Sequence, residues 1–271
     1  MTRYLIVFLL AILGASPVTA ADGPSLKLAI IAPIEPWDRK EGIEAFRDWL
    51  VEHYNVEVIW IEPAKHQPGD DATKEERKAY YQNPPAIPNL AKAWEADAVY
   101  TALTHCALNE EDAVEYLELI TSKPLIGGRR SHHGLYFRWP KGMEYPWKDQ
   151  KQRYGRAVFG CEMGGHHGGP IRFAKGQADH AIVKGLDSLI ENRLYDRGYK
   201  YKEVGDDVTV LVESVEGQPQ VWTRINKDTK QRVFYLIHDP IDIQNIEVVR
   251  QMMARALFWL TEREEADFKK G

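Results

Sequence analysis

Three apolar runs separated by amphipathic or polar stretches constrain this chain most. Leu26 to Pro33 (LKLAIIAP), Val56 to Ile61 (VEVIWI) and Ala98 to Leu103 (AVYTAL) are short and nearly continuous in apolar character. That is the pattern of strands buried on both faces. Between the first two, Ile43, Phe46, Leu50 and Val51 recur at helical spacing within Glu41 to Tyr54. After the third, Asn109 stands as an N-cap ahead of Glu110, Glu111 and Asp112, where a side-chain oxygen and negative charge favour a helix start. That helix runs to Ser122 and leads to a fourth apolar run, Pro124 to Gly128 (PLIGG). Strand and helix in alternation require parallel pairing through right-handed crossovers, hence an open α/β sheet.

Later strands are expected at Val208 to Val212, Gln220 to Thr223 and Arg232 to Ile237, the last two joined by a short polar turn that favours antiparallel pairing. Ile246 to Leu260 closes the pattern as a helix built on Val249, Met252, Met253, Leu257 and Trp259/Leu260. Residues 62–95 interrupt it. Five prolines and a charged run from Asp70 to Arg77 predict a long surface excursion, a lid or a plain solvated insertion, with a short helix near Thr73 to Tyr81.

The first twenty residues are a separate matter. Arg3, the apolar Tyr4 to Leu13 and the small-residue site Val18-Thr19-Ala20 have the layout of a secretory signal peptide. The apolar stretch is shorter than the roughly twenty residues a bilayer span needs. Cleavage after Ala20 would leave 34 basic against 40 acidic side chains, a net −6 instead of −5, in a periplasmic or secreted single domain of residues 21–271 with no membrane span. This mild acidity, without a basic block, argues against a nucleic-acid partner. Cys106 and Cys161 are the only cysteines, and an oxidising compartment would permit them to pair or leave them as two buried thiols.

Ligands of open α/β sheets bind beyond the carboxyl ends of the strands. The segments at those ends are rich in histidine here: Arg129-Arg130-Ser131-His132-His133-Gly134, then Gly160-Cys161-Glu162-Met163-Gly164-Gly165-His166-His167 after a segment ending at Val158-Phe159, then His238-Asp239-Pro240. Five of the nine histidines thus fall on one expected rim.

Taken in order, PLIGGRRSHHGLY (124–136), RYGRAVFGCEMGGHHG (153–168), DHAIVKGL (179–186), DVTVLVES (207–214) and VWTRINKDTKQRVFYLIHDP (221–240) resemble the ThuA-like family, named for a bacterial protein linked to trehalose utilisation. The resemblance spans roughly residues 96–262. It implies a flavodoxin-like open sheet of the class I glutamine amidotransferase-like type, mostly parallel with a C-terminal antiparallel portion and helices on both faces. By its register Arg129 occupies the place of the amidotransferase nucleophilic cysteine, His133 matches the family histidine and His132 is extra. An arginine stays protonated and cannot accept an acyl group, so glutaminase chemistry is not expected.

The resemblance also supplies the expected ligand, a carbohydrate or an oxidised keto-sugar. His133, His166 and His167 are the candidate catalytic residues, either as acid/base groups or as ligands of a divalent metal such as zinc. Arg129 and His238 are candidates for orienting substrate oxygens, although Arg129 could equally pair with Glu162 or Asp239, and Asp239 could cap a turn. Trp139 and Trp147, interleaved with Arg and Lys, suit the C–H faces of a sugar or serve as wedges onto the core. His180, ahead of Ala181-Ile182-Val183, reads as a turn-forming histidine. A non-catalytic carbohydrate-binding domain and an interaction module are the competing expectations.

Overall fold

The computed structural model describes residues 25–33, 40–65, 68–69, 71–84, 86–104, 106–128, 130–134, 154–191 and 198–270. The signal-peptide reading of residues 1–20 and the site candidates Arg129, Trp139 and Trp147 lie outside them.

The chain opens β1 (Leu26–Ile31), α1 (Lys40–His53), β2 (Val56–Ile61), α2 (Lys74–Gln82), β3 (Ala98–Thr101), α3 (Glu110–Ser122) and β4 (Leu125–Gly127). It continues with α4 (Tyr154–Phe159), β5 (Cys161–His167), β6 (Ile171–Phe173), α5 (Ser188–Glu191), β7 (Gly198–Val204), β8 (Val208–Ser214), β9 (Pro219–Ile225), β10 (Arg232–Leu236), α6 (Pro240–Asn245) and α7 (Glu247–Thr261). An eight-stranded sheet runs β2-β1-β3-β4-β10-β9-β8-β6, and β5 and β7 form a second, two-stranded sheet.

The strands β2, β1, β3, β4 and β10 are mutually parallel, and β9, β8 and β6 follow in antiparallel register. The fold is therefore α/β and mostly parallel with an antiparallel C-terminal portion. Burial follows the composition of the parallel strands. From Leu28 to Ile31 nothing is exposed, and β3 and β4 are buried throughout. On α1 the spacing works as expected for Ile43, Phe46 and Leu50, while Val51 turns to solvent. Asn109 caps α3 by accepting from the Asp112 N–H at 2.9 Å. On α7, Val249, Met252, Met253 and Leu257 are fully buried. Among the described residues no helix is long and apolar enough to cross a membrane.

The 62–95 excursion is attached to the core. Its helix begins with a capping box between Thr73 and Glu76. Tyr80, Ile87 and Leu90 are buried, and the Ile87 N–H donates to the Asp112 carboxylate at 2.7 Å.

Around the second histidine motif the structure differs from what strand ends alone suggest. The segment ending at Val158-Phe159, placed among the strand ends, is a helix over 154–159, and the glycine-rich stretch that begins at Cys161 is a strand over 161–167. The glycines are accommodated by register shifts against β7 between Glu162 and Gly165, with Gly165 at φ +154°. Both cysteines are buried and neither is in a disulfide: the Cys106 thiol donates to the Gly134 carbonyl at 3.5 Å, and Cys161 opens β5.

Candidate functional site

The parallel strands deliver their carboxyl ends to one rim, where β4 and β10 are neighbours. Beyond β4 the chain turns sharply through Arg130, a non-glycine residue at φ +68°, ψ −15°, into a single helical turn, Ser131–His133. The turn is closed by the Ser131 hydroxyl and N–H, both donating to the Gly128 carbonyl. A side chain held at positive φ after a strand is the geometry of an elbow that presents one residue at the rim. The residue so held is Arg130; Arg129, the elbow residue expected from the sequence, lies outside the described residues. The guanidinium of Arg130 stays protonated, so this side chain is no acyl acceptor.

The elbow places two imidazoles side by side. His132 and His133 are 4% and 8% exposed, and their ring centroids are 4.0 Å apart. Over them lies Tyr199 of β7, at 4.8 Å edge-on to His132 and 6.1 Å from His133. The antiparallel register sets His166 opposite Tyr199, and the exposed His166 ring stands 5.4 Å from the tyrosine ring. Three imidazoles from two separate motifs therefore surround one buried phenol. Below them His132 Nδ1 is hydrogen-bonded to the Tyr235 hydroxyl and Nε2 lies 3.1 Å from the Met163 sulfur. Tyr235 in turn stacks on Trp222 at 4.2 Å and 19°, and the Trp222 indole N–H donates to the Phe159 carbonyl. Gly127 makes this layer possible, because a Cβ there would sit 2.3 Å from the Phe159 ring.

His167 is not brought into this group. Successive strand residues face opposite ways, so His167 leaves the face that His166 occupies. Its side chain is 7% exposed, with Nδ1 3.6 Å from Glu216, and its Nε2 is buried without a hydrogen-bond partner. Among the described residues no three His, Cys, Asp or Glu side chains are grouped so as to hold a metal ion. The donor set expected for zinc is therefore not assembled by His133, His166 and His167.

His238 follows β10 at the same rim and is fully buried, which pushes its imidazole down to about 3. It is a neutral group at ordinary pH. The adjacent Asp239 caps α6, its side chain accepting from the Ile241 N–H while Asp242 answers to the Asp239 N–H, with Pro240 at the first helical position. His180 is held locally, its Nδ1 accepting from the Ile182 N–H at 3.3 Å, and burial lowers its pKa, with Arg232 adding to the effect. Cys161 is no nucleophile at neutral pH: burial drives its thiol up to about 12, against the opposing influence of Arg156 and Arg224.

The residues that sequence reasoning missed are Tyr199, Tyr235 and Met163. The first had a signal, since GYKYKEV alternates aromatic with charged residues as a half-buried strand does. Tyr235 carried none, standing in the apolar, fully buried stretch Val233 to Leu236.

No protein-family model matches this sequence, and no curated protein matches it. Solved structures do. A protein from Bacteroides uniformis described as ThuA-like superposes with a TM-score of 0.50 at 12% identity, covering 90% of this chain and 95% of that one. Another so described, from Parabacteroides merdae, gives a TM-score of 0.50 at 14% identity over 88% of this chain and 90% of its own. The chain has the ThuA-like, flavodoxin-like fold, and at such identities the likeness is one of fold alone.

Proposed function

We propose that this protein is exported and acts on a carbohydrate or an oxidised keto-sugar at the cluster of His132, His133, His166 and Tyr199. The observation that carries the reading is the convergence of three imidazoles on the Tyr199 ring at the carboxyl rim of the sheet. An aromatic ring flanked by imidazoles suits a sugar, offering a surface for C–H groups and nitrogens that exchange protons with hydroxyls or a carbonyl. His133 and His166 are the reacting groups in this reading, Arg130 beside them contributes polar contacts, and the buried His238 stands behind them. Arg3, the apolar segment and Val18-Thr19-Ala20 support export.

The elbow favours a second reading. With arginine where an amidotransferase carries its nucleophile, the same cleft would serve as a non-catalytic carbohydrate-binding or interaction domain.

The test is a panel of glucosides and their keto derivatives, followed by product analysis and by calorimetric titration. Turnover that disappears in His133→Ala, with the melting temperature kept, is the expected result. Binding without turnover would transfer the case to the binding domain. Neither binding nor turnover across the panel would overturn the carbohydrate assignment.

A further inference from the structure

We infer that His132 is a positioning residue, locked in the Nε2–H tautomer between Tyr235 and Met163 so that its ring fixes where His133 and Tyr199 stand. Its purpose rests on the proposed reaction centre, whereas the tautomer is argued from the Tyr235 and Met163 contacts at the two ring nitrogens.

The Met163 sulfur, 3.1 Å from Nε2, is a thioether with lone pairs and no proton. It can only accept, so the nitrogen facing it carries the hydrogen. In a neutral imidazole the other nitrogen is then an acceptor. That nitrogen, Nδ1, is hydrogen-bonded to the Tyr235 hydroxyl, which therefore donates. The opposite tautomer would set the Nε2 lone pair against those of sulfur while Nδ1–H pointed at the phenol oxygen.

Tyr235 is anchored in the sheet. It sits in β10 between β4 and β9, paired to Gly127 and Trp222, and its ring is stacked on the Trp222 indole. From there the constraint passes outward through contact. His132 lies 5.7 Å from Tyr235, 4.0 Å from His133 and 4.8 Å from Tyr199. With both nitrogens turned to protein atoms, the His132 ring is spent on holding its neighbours. A reacting group displaced by about 1 Å can lose on the order of 10²-fold in rate, which is the scale on which such a support matters.

The experiment is long-range 1H–15N correlation of the imidazole rings in the 15N-labelled full chain, wild type, Tyr235→Phe, His132→Leu and His132→Asn. In the wild type the His132 Nδ1 resonance is expected in the unprotonated region and Nε2 in the protonated one. Tyr235→Phe should move that pattern towards a tautomer mixture. His132→Leu should shift the His133 ring signals, and His132→Asn, whose side-chain oxygen can still accept from Tyr235, should return them part of the way. A protonated Nδ1 in the wild type overturns the tautomer, and His133 signals unmoved in His132→Leu overturn the positioning role. If His132→Leu does not fold, the His133 signals in Tyr235→Phe decide in its place. None of these readouts needs a substrate, so a glycoside panel that fails leaves them standing and fails the functional reading alone.

Discussion

Arg224 and Asp207 form an ion pair closed to solvent: Nε lies 2.8 Å from Oδ2, and the two side chains are 8% and 7% exposed. The same guanidinium donates to the carbonyls of Ala157 and Val158 at the end of α4. One arginine thus ties the β7–β8 turn, β9 and α4 together. Removing Arg224 leaves the Asp207 carboxylate with only Arg156, 3.9 Å from its Oδ1, and removing Asp207 leaves a buried guanidinium held by carbonyls alone, at a cost of up to about 3–5 kcal/mol. Asp207→Ala and Arg224→Ala are each expected to lower the urea midpoint accordingly. A loss below about 1 kcal/mol in both would mean that water reaches the pair.

The thiols give a direct check on burial. Cys161, with its thiol at about 12, and the buried Cys106 are expected to resist an aromatic disulfide reagent at pH 8 in the folded protein. Both should titrate in denaturant without prior reduction. Rapid native labelling would contradict the placement of Cys161 in β5.

His238 predicts a pH dependence whose sign is fixed. Its folded pKa of about 3 lies below the value near 6.5 of an unfolded histidine. Between those values the unfolded chain binds a proton that the folded chain does not. Its stabilising contribution is therefore fully present above pH 6.5 and is lost as pH falls towards 3, by up to about 1.4 kcal/mol per pH unit. Urea unfolding between pH 7 and 4 should show a shallower decline for His238→Asn than for the wild type. Parallel slopes would rule this out.

Gly42 predicts a steric cost. A Cβ at this position would lie 1.9 Å from the Pro240 carbonyl oxygen, so α1 and the start of α6 approach through the missing side chain. Gly42→Ala must push backbone aside and is expected to cost about 1–3 kcal/mol. It should also speed amide exchange at the start of α6. A melting temperature equal to wild type would show that the helices can slide apart without penalty.

The two adjacent histidines of β5 should separate cleanly. His166, exposed beside Tyr199, is expected to affect ligand titration with stability within about 0.5 kcal/mol of wild type on replacement by alanine. His167→Ala empties a buried position next to Glu216 and should change stability while leaving ligand titration intact. The reverse pattern would place the site on the other face of the strand.

Much of the sheet was legible because its signals are local. The apolar run of β1, the Asn109 cap and the periodicity of α7 each act over a few residues. The β5–β7 pair escaped because glycine supplies no side chain to mark a strand and its register is broken by bulges. With it went the distinction between His166 and His167, which a loop would allow to converge and a strand sets apart. The rim histidines after β4 and β10 were found from topology, whereas the tyrosines beneath and above them depend on pairings that no short stretch of sequence expresses.

The bond between His132 and Tyr235 joins residues 103 positions apart. Closing so long a loop is entropically costly and kinetically slow compared with making a helix turn. The elbow, β5, β7 and β10 each bring side chains to the cluster, so a chain that has formed only its local elements has no cluster at all. Assembly of the cluster at this rim is thereby coupled to completion of folding. The Trp222 indole, stacked on Tyr235, is a built-in fluorescent reporter of the moment at which it is achieved.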